Sequence, residues 1–179
     1  MRRAILAALA LSGAASGQVT ERTGAPTRAE YPKRVPAPGG EVVLPTRGME
    51  QAYDRYHYAP ARRAGDWVYV SGVVIGRGPG EGNDVPAFKL QVRRGFEALR
   101  RILAASGARF EDVVTVNSFH VWEGPDFMGT RMEQYEAFDA VKSEFMPAPH
   151  AAATAVGTTG LLAPGGIVEV QLIAYAPQR

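Results

Sequence analysis

One apolar stretch near the C-terminus reads Gly166-Ile167-Val168-Glu169-Val170-Gln171-Leu172-Ile173-Ala174-Tyr175. Side chains of a strand alternate between its two faces, so one face here receives only aliphatic residues, Val168, Val170, Leu172 and Ala174. The other face carries Glu169 and Gln171 among branched aliphatic side chains. Two interpretations of Glu169 follow. Either it meets solvent on a half-exposed strand, or it is held in a partly apolar pocket for chemistry or ligand binding.

The N-terminus has the layout of a secretory signal peptide. Met1-Arg2-Arg3 is basic, residues 4–11 are apolar and residues 12–17 are small and polar, which predicts a signal peptide over residues 1–17. The apolar run is too short for a permanent membrane anchor. The alternative is a frayed N-terminal helix. We therefore expect a secreted or periplasmic protein with no stable membrane association.

The rest of the chain is predicted to form one domain after a leader. Residues 18–48 are rich in Pro and Gly and read as a leader or linker, mobile over residues 18–40 and with a short edge strand over residues 41–45. The domain then occupies residues 49–179. A length of 179 residues with 46% apolar residues is ordinary for one domain with its own core.

Composition argues against several classes of function. Without the predicted signal peptide the Lys and Arg count falls from 20 to 18, equal to the 18 Asp and Glu residues. The sequence shows no basic stripe for nucleic acid. The absence of cysteine excludes disulfides, thiolate chemistry and Cys-ligated metals. Because His57, His120 and His150 are scattered, no metal site is expected, and His120 is interpreted as a structural histidine.

Hydrophobic periodicity predicts alternating strands and helices. Strands are expected over residues 66–72, 112–122, 151–158 and the C-terminal stretch, and helices over residues 84–106 and 126–145. The first helix is predicted to bury Val92, Phe96, Leu99, Ile102 and Leu103, and the second Met132, Tyr135, Phe138, Val141 and Phe145. The glycine-rich residues 76–80 lack a phosphate-binding signature and are predicted to be a loop. This order indicates an α+β fold with both helices on one face of the sheet.

Several separated segments, over about residues 53–176, resemble the Rid family, the reactive intermediate deaminases also called YjgF-type or endoribonuclease L-PSP-like proteins. Tyr58 is followed by Arg63-Ala64-Gly65-Asp66-Trp67-Val68-Tyr69-Val70-Ser71-Gly72. Further segments are Gln91, Leu99, Ile102-Leu103-Ala104-Ala105-Ser106-Gly107, Glu111-Asp112-Val113-Val114, Thr154-Ala155-Val156-Gly157, Val168-Glu169-Val170 and Ile173-Ala174. Each segment alone is weak, but their order along the chain makes the resemblance specific.

The resemblance implies a chorismate-mutase-like fold, with a mixed sheet and two helices on one face, assembled as a homotrimer. Small-molecule pockets would then lie in the clefts between subunits. Familiar members hydrolyse enamines and imines, such as 2-aminoacrylate, to a 2-keto acid and ammonia, with no metal or organic cofactor. The resemblance therefore implies a deaminase, that is, a hydrolase, and a small-molecule ligand.

Carried over residue by residue, the resemblance makes Glu169 the catalytic glutamate that positions or activates water. Tyr58, Ser71 and Gly72 match residues that line the pocket. The substrate-binding strand of the family reads Pro-Ala-Arg-Thr-Ala-Val, whereas this chain reads Ala151-Ala152-Ala153-Thr154-Ala155-Val156. Ala153, next to Thr154, therefore replaces the arginine that pairs with the substrate carboxylate, a change that removes a bidentate partner. Met132 lies near the position of a family asparagine.

Two hypotheses remain open at this point. The first is an imine or enamine deaminase with an altered substrate range, in which Glu169 aids the water and His150 or Arg63 supplies the missing cation. The second is a non-catalytic homotrimer whose clefts bind a small, relatively apolar ligand. Ribonuclease activity, ascribed to some relatives, finds no support in a basic track or a histidine pair.

Overall fold

The computed structural model describes residues 30–178 and places seven strands in one mixed sheet. The sheet order is β1-β2-β3-β4-β7-β5-β6, and only β5 and β6 run parallel. The strands are β1 (Lys33–Ala37), β2 (Gly40–Leu44), β3 (Ala61–Ala64), β4 (Trp67–Gly76), β5 (Val113–His120), β6 (Ala152–Gly157) and β7 (Gly166–Tyr175). The last strand, which carries Glu169, therefore lies inside the sheet between β4 and β5.

Three α-helices connect these strands, together with a 3-10 turn at Phe110–Asp112. Helix α1 spans Arg47–Tyr56, α2 spans Val85–Ala105 and α3 spans Arg131–Phe145. The Asp84 side chain caps α2 by accepting from the Ala87 amide at 2.9 Å, at the predicted start of this helix. Helix α3 begins with a capping box, in which the Thr130 side chain accepts from the Glu133 amide and the Glu133 side chain from the Thr130 amide.

The core lies between one face of the sheet and the helices α2 and α3. The predicted stripe of α2 is buried in full: Val92, Phe96, Leu99, Ile102 and Leu103. The aliphatic face of β7 is buried as well, at Val168, Val170, Leu172 and Ala174. Phe96 packs against Phe110, Phe138 and Phe145 with ring centroids 5.3–5.9 Å apart. These rings join the two helices to the start of β5.

The opposite face of the sheet carries large side chains that remain exposed in a single chain. Cross-strand pairing puts Tyr69 beside Ile173 and Glu169 beside Phe119, on the side away from the buried residues of β7. The exposed side chains of this face include Trp67, Tyr69, Phe119, Val156 and Tyr175. We call this surface the open face. Several exposed large apolar side chains on one face are typical of a surface for association or ligand binding.

The structure corrects the prediction for the segment before the domain. Residues 33–44 form the hairpin β1–β2, whose second strand pairs with β3, so this part of the predicted leader is built into the sheet. The predicted short strand over residues 41–45 is β2, and it lies inside the sheet, while β1 forms the edge. The predicted signal peptide at residues 1–17 lies outside the described residues.

The helices also differ from the prediction. Helix α1 was not predicted, because it buries none of its side chains fully and so leaves no apolar stripe in the sequence. Helix α3 starts at Arg131, five residues after the predicted start at Asp126. Met132 and Tyr135, predicted as core, are 53% and 38% exposed. No helix within residues 30–178 is both long and apolar enough to cross a membrane.

Candidate functional site

A β-bulge in β4 shapes the backbone beside Glu169. Val70 pairs with Leu172 and Val73 pairs with Val170, so Ser71 and Gly72 together face the single residue Gln171. Such a bulge bends the strand and redirects side chains, and bulges are frequent next to active sites. The Ser71-Gly72 pair predicted to line a pocket therefore lies at the irregular part of the β4–β7 pairing.

Gly72 lies directly against the carboxyl group of Glu169. A Cβ added at position 72 would lie 2.6 Å from Glu169 Cδ and 2.8 Å from its Cγ, well inside van der Waals contact. Only the absence of a side chain at this position leaves room for the carboxylate in its observed place. The glycine is thus required for close approach.

Ser71 joins the bulge to the segment that follows α1. Its hydroxyl donates to the Ala59 carbonyl at 2.6 Å, and its amide donates to the Pro60 carbonyl at 3.1 Å. Tyr58, 44% exposed, is the neighbour of Ala59. The sequence-predicted residues Tyr58, Ser71, Gly72 and Glu169 are therefore brought into one region of the molecule.

The Glu169 side chain is half-buried on the open face. Its cross-strand neighbours are Val74 on β4 and Phe119 on β5, both apolar and partly exposed. Two residues further on, Gln171 Oε1 accepts from Asn117 Nδ2 at 3.2 Å. Within residues 30–178 no side chain hydrogen-bonds to the Glu169 carboxylate. Its oxygens are available to a water or a ligand.

The structure separates Ala153 from Glu169 within one chain. Ala153 pairs with Val116, which in turn pairs with Leu172, so Ala153 belongs to the core side of the sheet register. Thr154 pairs with Asn117 and shares the open-face register with Gln171 and Glu169. All of β6 is exposed at the sheet edge. The two halves of the predicted site therefore lie on different parts of a protomer.

Arg63 cannot supply the missing cation, which corrects one of the two candidates from the sequence. Its guanidinium is 5% exposed and donates to the carbonyls of Ser106 at 3.1 Å, Gly65 and Ala176 at 3.0 Å, and Gly107 at 3.3 Å. Arg63 on β3 pairs with Val68 on β4. Val68 lies at one end of the β4–β7 pairing, and Glu169 lies near the other end. Arg63 is a structural residue that binds backbone.

The other singled-out polar residues have mainly structural contacts. His120 is buried, with Nδ1 3.3 Å from Gln134 Oε1 and Nε2 3.0 Å from Ser118 Oγ, and burial lowers its pKa. This confirms the prediction of a structural histidine. Gln91 is buried on α2, where its Nε2 donates to the Gly82 carbonyl at 3.0 Å. His150 is exposed just before β6. Within the described part of the chain no group of His, Asp or Glu residues could hold a metal ion.

A small cleft that the sequence did not reveal opens between β6 and the first turn of α3. It measures about 170 Å³, and its walls include Trp122, Arg131, Met132, Tyr135 and Ala155. Met132 and Tyr135 follow the 3- and 4-residue spacing of a buried helix face, so the sequence predicted them as core residues. Their position in the walls of this cleft was therefore not predicted. The charged Arg131, directly before Met132, was the sequence feature that could have indicated an exposed position here.

Comparison with known proteins agrees with this architecture. A model of the family described as endoribonuclease L-PSP matches residues 49–176. The chain belongs to the endoribonuclease L-PSP family. The RutC family protein YjgH of Escherichia coli strain K12 is 37% identical over 139 residues, which cover 77% of this chain and 96% of that protein.

Solved structures of endoribonuclease L-PSP relatives share the fold. A structure of protein YJGH is 37% identical, with a TM-score of 0.55, and the match covers 71% of this chain and 89% of that one. RidA from the Antarctic bacterium Psychrobacter sp. PAMC 21119 is 28% identical, with a TM-score of 0.53, over 66% of this chain and 87% of that one. These matches confirm the predicted YjgF-type fold with a mixed sheet, here with three helices.

Proposed function

We propose that this member of the endoribonuclease L-PSP family hydrolyses a small imine or enamine, of the 2-imino acid type, to a carbonyl compound and ammonia. The observation that carries the proposal is the half-buried Glu169 carboxylate, placed over Gly72 and free of side-chain partners within the described residues. A carboxylate held in this way can act as a general base toward a water molecule. Family membership supports the reaction class, and the site residues support its location.

The chemistry needs only a water and one carboxylate. The water oxygen forms a bond to the imine carbon while Glu169 accepts a proton from that water. That proton passes to the nitrogen, which gives a carbinolamine; an enamine substrate first tautomerises to the imine. The carbinolamine hydroxyl then loses its proton, through Glu169, to the amine nitrogen as the carbon–nitrogen bond breaks, so that the carbonyl compound and ammonia leave. Gly72 leaves room for the Glu169 carboxylate, Ser71 anchors the segment that carries Tyr58, and Tyr58 adds a polar and aromatic wall. The reaction as written uses no cofactor.

A homotrimer with clefts between the subunits completes the proposal. The open face presents Trp67, Tyr69, Phe119 and Tyr175 to solvent in a single chain, and burial of these rings against copies of the same chain would stabilise an assembly. Glu169 belongs to this face, whereas Ala153 and Thr154 lie on the edge strand β6. Assembly offers a way to bring these two parts of the predicted site together. Export to the periplasm, directed by residues 1–17, completes the proposed setting.

The Glu169→Gln variant tests the reaction. The amide keeps the shape of the side chain but cannot accept a proton from water, so ammonia release from freshly generated 2-aminoacrylate should fall by at least about a hundredfold. Glu136→Gln, an exposed residue of α3, is the matched control and should retain activity. Sedimentation velocity checks that all three proteins keep the same assembly. Undiminished turnover by Glu169→Gln would remove Glu169 from the mechanism.

A second candidate is a non-catalytic homotrimer that binds a small ligand, which the alanine at position 153 favours. Loss of a charge-assisted pair with a substrate carboxylate removes about 2–5 kcal/mol of binding. In that case the wild-type protein should not raise ammonia release from 2-aminoacrylate above the uncatalysed rate, while a ligand should raise its melting temperature. Measurable ammonia release above the uncatalysed rate would exclude this candidate.

A further inference from the structure

The cleft between β6 and α3 combines one cation with aromatic and apolar walls. Met132, 53% exposed, and Ala155, on the helix side of β6, contribute to the walls of this cavity of about 170 Å³. Tyr135 closes one side, where its ring lies 6.0 Å from the His120 ring in an edge arrangement. The cavity is smaller than the pockets of about 300–1,000 Å³ that hold drug-sized ligands. It suits a compact molecule of a few non-hydrogen atoms.

The indole of Trp122 is fixed against the edge strand by a glycine. A Cβ at Gly157 would lie 2.7 Å from Trp122 Cη2, so any larger residue would displace the ring. The backbone of Gly157 has no positive φ, which means that glycine serves close packing here and not a turn. One wall of the cleft is therefore a rigid aromatic surface.

Arg131 extends over this surface. Its guanidinium carbon lies 5.7 Å from the centre of the Trp122 ring, within the range of a cation–π contact. Among residues 30–178 no carboxylate lies within 4.0 Å of the Arg131 guanidinium. The neighbouring acid, Glu133, is engaged in the capping box of Thr130. The planar guanidinium thus keeps its donors for a ligand while the indole holds its position.

We propose that this cleft binds a small monocarboxylate with a short apolar body, and that Arg131 supplies the cation missing at position 153. A guanidinium donates two parallel hydrogen bonds to a carboxylate. Met132 and Ala155 would contact the apolar end of the ligand, and Trp122 would support the charged end. The missing arginine would lie on β6, at position 153, whereas Arg131 lies at the start of α3. The cation of this site is therefore supplied by the helix beside β6. This inference rests on the proposed function for the reaction that the bound molecule undergoes. The binding of a carboxylate by Arg131 does not depend on that function.

Binding of butyrate tests the site directly. Trp122 is one of two tryptophans in the chain, so its indole N–H gives a resolved signal in a nitrogen-15 correlation spectrum. Titration of the full-length assembly with sodium butyrate should shift this signal in a saturable way, and neutral butyramide should bind at least about tenfold more weakly. Equal affinity for butyrate and butyramide, or a wild-type protein that does not bind butyrate, would overturn the proposal.

Substitutions identify the cation. Arg131→Met keeps the apolar contact with Trp122 but removes the donors, and should weaken butyrate at least about tenfold. Arg131→Lys should restore part of the affinity, because it keeps a charge but loses the bidentate geometry. Arg101→Met, an exposed position on α2, is the matched control and should bind as the wild type does. Unchanged affinity in Arg131→Met would show that this arginine does not hold the ligand.

The outcome is separable from that of the proposed reaction. Butyrate binding through Arg131 without ammonia release from 2-aminoacrylate would retain the carboxylate site and remove the deaminase. If ammonia release depends on Glu169 but the Arg131→Met variant binds butyrate as the wild type does, the deaminase proposal stands and the carboxylate-site proposal is wrong.

Discussion

Gly72 leaves room for the carboxyl group of Glu169. Any residue with a Cβ at position 72 would place that atom 2.6 Å from Glu169 Cδ. Gly72→Ala should therefore force the Glu169 side chain into another rotamer. Displacement of a catalytic group by about 1 Å can cost about a hundredfold in rate, so ammonia release should fall by at least about tenfold.

A crystal structure of Gly72→Ala should show the moved carboxylate independently of any activity. Gly160→Ala is the matched control, because a Cβ there meets no atom within 4 Å. An unmoved Glu169 in the alanine variant would contradict the steric argument.

Ser71→Ala should loosen the segment that carries Tyr58. The substitution removes the 2.6 Å hydrogen bond to the Ala59 carbonyl but keeps the backbone bond from residue 71 to Pro60. Loss of one partly buried hydrogen bond lowers the free energy of unfolding by about 0.5–1.5 kcal/mol. Hydrogen exchange should become faster over residues 57–60, whereas Ser143→Ala, at an exposed site on α3, should change neither quantity. Unaltered exchange over residues 57–60 would show that the hydroxyl does not anchor the segment.

Arg63→Met should be strongly destabilising. The variant leaves the carbonyls of Ser106, Gly65, Ala176 and Gly107 without their donor, and the free energy of unfolding should fall by about 2–4 kcal/mol. Urea denaturation measures the change. Arg101→Met, exposed on α2, should lie within about 0.5 kcal/mol of the wild type. A small effect of Arg63→Met would mean that water replaces the guanidinium at these carbonyls.

His120 should make the stability depend on pH between about 7 and 5. Burial lowers its pKa in the folded state, so the folded protein holds the neutral ring while the unfolded chain takes up a proton below about 6.5. The unfolded state then binds more protons, and the free energy of unfolding should fall as the pH decreases through this window. Hydrogen bonding to Arg94 lowers the pKa of Glu81 to about 2, so this acid stays ionised throughout.

Urea denaturation of wild type and His120→Asn at pH 7 and pH 5 separates this contribution. The variant is expected to be less stable at pH 7 but to lose less stability on acidification. An equally steep decrease in both proteins would assign the pH dependence to other groups.

The sequence predicted the strongly periodic elements well. Alternation along β7 and the 3- and 4-residue spacing in α2 identified the buried faces, because burial on one side leaves a direct mark on the pattern. Helix α1 left no such mark, since none of its residues is fully buried. The strand β1 was hidden by Pro36 and by its short length, and a proline is tolerated there because β1 is an edge strand.

The candidate site was predictable only in part. Gly72 lies against Glu169 because β4 and β7 are neighbours, while the role of these residues in a binding pocket stays a prediction from the family resemblance. The register that places Ala153 away from Glu169 depends on strand pairing, which no local pattern encodes. Arg131 was overlooked because the adjacent Met132 and Tyr135 fit a core spacing.

The sheet order has a practical consequence for attaching this domain to anything else. Strand β1 forms one edge and β6 the other, so six strand spacings, or about 29 Å measured across the sheet, separate β1 from the Arg131 cleft. A fluorophore attached to β1 itself would therefore lie at the far edge of the sheet. Such a label would report on the β1 edge without contacting a ligand in the cleft.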